Sequence, residues 1–173
     1  MDPCIECFVL LAWHSGHRAA RFGGSAADVD LESGSVVWRA ESDEIGYERR
    51  NPLHAEAVSV LKRERARRPA LGDAWIFPAP RDATTPRSGD AMQNVWKRLA
   101  TASKLPAGER YGWHSLRRAF ANRLRRAPLR YLQDLGGWKT SATLLTIYVR
   151  ADERAQREAL EKYDNGVKIA SNQ

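Results

Sequence analysis

Two stretches decide how this chain is read: Trp113-His114-Ser115-Leu116-Arg117-Arg118-Ala119-Phe120, and Gly136-Gly137-Trp138-Lys139-Thr140-Ser141-Ala142-Thr143-Leu144-Leu145-Thr146-Ile147-Tyr148. His114 and Arg117 lie three residues apart, so a helix carries them on one face. Such a pair suits a phosphodiester, because the guanidinium forks onto two oxygens while the imidazole gives or takes a proton. Tyr148 is a candidate nucleophile, since a phenol reacts only beside strong positive charge or a base. The surroundings supply that charge. Between Glu109 and Asp134 stand Arg110, Arg117, Arg118, Arg123, Arg125, Arg126 and Arg130, with no acid among them.

The whole chain agrees with that local reading. Its 173 residues suffice for one ordinary domain with a real core, and 43% hydrophobic with 28% charged residues is a globular composition. The net charge is +7, and Arg outnumbers Lys, which favours phosphate recognition and a nucleic-acid partner. The longest apolar run, Phe8 to Trp13, is far too short to span a bilayer, so no membrane partner is expected.

Cys4 and Cys7 form a C-x-x-C followed by His14 and His17, and a zinc site would need all four as ligands. Their neighbours Ile5, Phe8, Val9 and Ala12 have helical apolar spacing instead, which favours a reduced helix with no metal.

Working outward, the spacing predicts a first helix over Asp2–Trp13, a short helical piece over His17–Phe22, and a β-hairpin from Asp28–Leu31 and Ser35–Arg39. A third strand is expected over Tyr47–Leu53. Beyond it the chain reads as helical: a helix from Ala55 that Pro69 ends, an apolar plug at Trp75–Pro78, and a helix capped by Ser88. Further helices are predicted over His114–Arg126, Leu129–Leu135, Ser141–Val149 and Asp152–Tyr163.

With these residues placed, the chain resembles the catalytic domain of the tyrosine recombinase (phage integrase) family. The resemblance rests on His114-Ser115-Leu116-Arg117, Leu135-Gly136-Gly137-Trp138 and Tyr148 in that order, behind a small sheet and Ser15-Gly16-His17-Arg18. It implies an α+β, mostly helical fold: the DNA breaking-rejoining, integrase catalytic core, with a three-stranded antiparallel sheet near the N-terminus. The catalytic domain would span residues 1–164, with 165–173 a flexible tail and the family's N-terminal core-binding domain absent.

The resemblance also implies roles. Arg18 and Arg117 would hold the scissile phosphate, His114 would move the proton of Tyr148, and Trp138 would pack on the phosphate and donate its indole N–H. Tyr148 would form a 3′-phosphotyrosyl bond and free a 5′-hydroxyl, without metal or cofactor. Arg110, Arg118, Arg123, Arg125, Arg126 and Lys139 would meet the backbone of double-stranded DNA, in a bacterial, nucleoid-associated cytoplasmic protein able to form homo-oligomers on DNA.

Three features depart from the family. Glu44 stands where the family has the lysine that protonates the leaving oxygen, a contribution of about 10²–10⁴ in rate. Arg21 replaces a common acidic residue, and the run from Phe22 to Ala27 is glycine-rich. The third is the start, since the family places a helical core-binding domain, the other half of a clamp around DNA, ahead of this one, and its absence is expected here. Two readings follow: a strand-cutting integrase, or a catalytically inactive DNA-binding module of the same fold. A type IB topoisomerase shares the constellation.

Overall fold

The computed structural model describes residues 3–18, 24–42, 46–69, 72–106, 111–148, 153–154, 156–158 and 160–161. The first helix, α1, runs Pro3–Ser15 and lies at the centre of the fold. Its i, i+3, i+4 positions Cys4, Cys7, Phe8, Leu11 and Ala12 are all buried. Phe8 and Ala12 of the expected stripe are among them, whereas Ile5 and Val9 are only half-buried at its edge. Phe8 meets the rings of Phe77 and Trp113 edge-on, each with centroids 5.0 Å apart.

The expected sheet is present in antiparallel order β1 (Val29–Asp30), β2 (Ser35–Trp38), β3 (Arg49–Pro52). Asp30 accepts hydrogen bonds from the backbone N–H groups of Glu32 and Ser33, both at 3.0 Å, and Gly34 closes the turn at φ +65°. That side-chain-to-backbone bonding is what makes Asp a turn residue. Register pairs Val36 with Asn51 and Trp38 with Arg49.

Helix α2 (Ala55–Arg67) is capped by His54, whose Nδ1 accepts from the Glu56 N–H at 3.2 Å. It packs on α1 through Ala57, Val60 and Leu61. A short hairpin, β4 (Pro78–Ala79) with β5 (Asp82–Pro86), was not expected from the sequence. β5 is exposed throughout, so it shows no apolar alternation. What holds it is local: Asp82 accepts from the Thr84 N–H and hydroxyl, which keep its carboxyl below the ordinary range, and Trp75 donates its indole N–H to the Thr84 carbonyl at 2.9 Å.

Helix α3 (Gly89–Ala102) begins as predicted, Ser88 Oγ accepting from the Ala91 N–H at 3.2 Å. Helices α4 (Trp113–Arg123) and α5 (Leu129–Gly136) follow, then α6 (Ser141–Thr143), which widens into a π-helical turn over Leu144–Tyr148. Of the predicted His17–Phe22 helix, His17 and Arg18 are not helical and the rest falls outside the described residues. Among the described residues no helix is long and apolar enough to cross a membrane.

The core has two parts. The larger gathers α1, β2, α2, α3 and Trp113; the smaller contains Phe120, Ala121, Leu132, Trp138 and Leu144. Cys4 and Cys7 belong to the larger part, where burial, aided by Glu64, pushes the Cys7 thiol up to about 12. His17 lies elsewhere, stacked on Trp38 at 3.7 Å, and His14 bonds Glu56 at 2.8 Å, so the four zinc candidates do not converge.

Candidate functional site

Arg117 is the centre of the site. It projects from α4 into the gap between the end of α1 and the end of α5, and it is only 2% exposed. Nη1 donates to the carbonyls of Gly16, at 2.6 Å, and Gly136, while Nη2 reaches the Gly137 carbonyl at 3.4 Å. The guanidinium carbon lies 3.9 Å from the centroid of the Trp138 ring. A buried arginine is tolerable only when its charge is met by oriented dipoles, and here backbone carbonyls and an aromatic face supply them.

The glycines make that approach possible. Gly16 ends α1 at φ +67°, and a Cβ there would stand 2.2 Å from the Phe120 ring. Gly137 is the left-handed cap of α5 at φ +66°, and a Cβ on Gly136 would run into the Trp138 ring at 1.8 Å. The sequence pattern Gly-Gly-Trp is therefore a folding requirement: one glycine clears the indole and the next turns the chain.

His114 is the second residue of α4 and keeps solvent access. Partial burial of its ring, then the positive charges of Arg117, Arg18 and Arg118, hold its pKa below the ordinary value. That shift favours the neutral imidazole, the form able to accept a proton. The same interaction brings Arg18 and Arg118 into its electrostatic neighbourhood, and both are exposed. Arg18, His114, Arg117 and Trp138 thus come from three separate segments to one place. Trp138 lies beneath Arg117, 2% exposed, not at the surface.

Tyr148 closes the π-helical turn that follows Trp138, and its side chain is outside the described part of the structure. Glu44 and Arg110 also fall outside the described residues.

The other basic residues divide. Arg123 is turned onto α1, donating to the Trp13 carbonyl at 2.7 Å and lying 4.0 Å over the Trp13 ring. Arg126 pairs with Glu158 at 3.0 Å. Arg118, Arg125 and Lys139 are exposed.

Sequence reasoning missed His17, Arg49 and Asn51 as parts of this region. All three are buried around the Gly136-Gly137 turn or the strand beside it. Alternation along β3 could have flagged Arg49 and Asn51, since both fall on the face that Val36 and Trp38 share.

The family model for the phage integrase family matches residues 4–155. The chain belongs to the phage integrase family. Among solved structures, this integrase-family chain is similar to the XerA recombinase, with 21% identity, a TM-score of 0.73, and 94% of this chain and 58% of that one covered. The Tn1549 transposon integrase in complex with transposon right-end DNA follows at 16% identity and TM-score 0.72, covering 93% of this chain and 59% of that one. The XerH site-specific recombinase, captured after cleavage on a palindromic difH substrate, matches at 22% identity and TM-score 0.68, over 91% of this chain and 45% of that one. These likenesses establish the integrase catalytic fold, and the chain spans less than two thirds of each of these structures. No curated protein matches this chain.

Proposed function

We propose that this chain is the catalytic domain of a site-specific DNA recombinase, residues 1–164, which cuts and rejoins double-stranded DNA through Tyr148. The observation that carries the reading is the gathering of Arg18, His114, Arg117 and Trp138 from three segments, with Tyr148 ten residues beyond Trp138. No metal is needed, because fixed cations meet the charge that develops on the phosphate.

In the proposed step the Tyr148 oxygen bonds to phosphorus as its proton passes to His114, and the bond from phosphorus to the 5′-oxygen breaks. The 5′-oxygen takes its proton from water, since Glu44 stands at the family's donor position, and leaves as a 5′-hydroxyl; a 5′-hydroxyl from another strand reverses the step to reseal. Arg18, exposed and within electrostatic reach of His114, is the arginine that would meet a phosphate directly. Arg117 holds the turn and adds its charge from below. Arg118, Arg125 and Lys139 are exposed and would meet the DNA backbone, and each one that meets a phosphate adds close to one unit to the salt slope of binding.

Glu44 favours a second reading, a DNA-binding module of the same fold without catalysis, because a carboxylate at the family's lysine position removes the proton donor and repels phosphate. One experiment separates the two: a covalent-adduct assay on nicked duplex DNA at low salt, with the chain as it stands, Tyr148→Phe and Glu44→Lys in parallel. An adduct from the unaltered chain that is lost in Tyr148→Phe establishes the enzyme. An adduct only from Glu44→Lys means a site switched off by one side chain. No adduct from any of them leaves DNA binding as the function.

A further inference from the structure

We infer that Arg49 and Asn51 are positioning residues for the phosphate site, acting through the Gly136-Gly137 turn; the inference deepens the recombinase reading and rests on it. On β3 the two residues share the inward face of the sheet, beside Val36 and Trp38 of β2. Arg50 and Pro52, on the other face, are exposed. An arginine at 8% exposure and an asparagine at 7% are costly to bury, so their partners explain why they are there.

Those partners are all at one place. Arg49 Nη1 donates to the Asp134 carbonyl at 2.9 Å, and Asn51 Nδ2 donates to the carbonyls of Asp134, at 2.9 Å, and Leu135, at 3.2 Å. These belong to the last turn of α5, where helix carbonyls run short of intrahelical donors; that of Asp134 also accepts from the Gly137 N–H at 3.4 Å. The next two carbonyls, of Gly136 and Gly137, accept from Arg117. Four consecutive carbonyls are therefore gripped from two sides, the first two by the sheet and the last two by α4. Gly137 leaves no slack, since a Cβ there would stand 2.6 Å from the His17 ring and 2.9 Å from Arg49 Nη2.

The consequence is mechanical. The turn sets both the carbonyls that aim Arg117 and the indole beneath it, so β3 fixes where the cation lies. In a catalytic array a misplacement near 1 Å costs on the order of 10²-fold. Asp134 and Leu135 are held by hydrogen bonds that a cavity-forming mutation elsewhere in the core leaves intact, which is how positioning differs from stability here.

The test compares Asn51→Asp, which replaces the donor with an acceptor of the same shape, with Leu61→Ala, a destabilising change in the larger core. Asn51→Ser, uncharged and smaller, serves if Asn51→Asp does not fold, and Arg49→Lys is the conservative variant. Single-turnover adduct formation, DNA affinity, thermal midpoint and the NMR resonance of the Trp138 indole N–H are measured for each. The expected result is a fall of about 10- to 100-fold in adduct rate for Asn51→Asp, with DNA affinity within about threefold and a displaced Trp138 resonance. Arg49→Lys falls between it and the unaltered chain. An unmoved indole resonance overturns the inference, as does an equal loss of rate in Leu61→Ala at matched thermal midpoint. If the unaltered chain forms no adduct, the recombinase reading fails, and the indole resonance still decides whether β3 sets the turn.

Discussion

The two parts of the core are built on different principles. Around α1 the chain packs as helices and sheets ordinarily do: Phe8, Leu11, Val36, Val60, Leu61 and Met92 close on one another, and stability follows apolar area removed from water. Among the described residues the smaller part has five buried apolar side chains, one of them the indole that Arg117 covers. There the organising interaction is polar, one guanidinium joining the end of α1 to the end of α5. The first part gives the molecule its scaffold. The second gives it a charge at a fixed place, at the cost of depending on a few hydrogen bonds.

The largest expected effect therefore comes from the smaller core. Arg117→Ala leaves the Gly16, Gly136 and Gly137 carbonyls without their donor in a buried gap, and a loss of about 3–5 kcal/mol is expected by urea denaturation. Arg117→Leu, which restores apolar volume, should recover little of it; substantial recovery would mean that packing and not hydrogen bonding holds this region, and the contrast between the two cores would collapse.

Next comes Leu61→Ala in the larger core, expected to cost about 2–4 kcal/mol through lost transfer free energy and a residual cavity. The same titration tests it, and an effect below about 1 kcal/mol would show that this core refills its voids.

Smaller again is Gly16→Ala. The positive φ and the contact with Phe120 lead to an expected loss of about 1–3 kcal/mol. A stability unchanged from the parent would mean that the turn ahead of Arg18 is free to move.

The smallest effect is the pH dependence, which touches both regions. Burial holds His14, beside α2, and His114, beside Arg117, below their ordinary pKa values. The folded state then binds fewer protons than the unfolded one, so the stability that these groups contribute is present above the ordinary imidazole pKa and declines as pH falls through roughly 6.5. His14→Gln and His114→Gln should each flatten the stability–pH curve between about pH 7 and 5. A steeper curve in either would reverse the sign argued here.

Much of this was legible from the residues. The apolar repeats of α1, α2 and α3 announced those helices, and Ser88 marked the start of α3 through a cap that needs only its own neighbours. The hairpin from Asp28–Leu31 and Ser35–Arg39 was equally readable, except that Leu31, expected in the strand, belongs to the turn. His54 caps α2 through its ring nitrogen, a role that no neighbouring residue announced. The β4–β5 hairpin left no periodic trace because its outer strand buries nothing. The π-helical turn before Tyr148 differs from an α-helix by one residue in its hydrogen bonding, which side-chain periodicity does not report over five residues.

What the sequence by itself determined is the order of the main helices and of the three-stranded sheet, and the spacing that sets His114 and Arg117 on one face of α4, because these depend on residues within a turn or two of each other. The tertiary structure alone decided that Arg117 is buried and bound to glycine carbonyls, and that Arg49 and Asn51 hold the same turn from the sheet. The Arg117 bond to Gly16 spans 101 positions and the Arg49 bond to Asp134 spans 85. A hydrogen bond over such a separation has no local signature, since its partner is a backbone carbonyl that every residue possesses and only the fold selects.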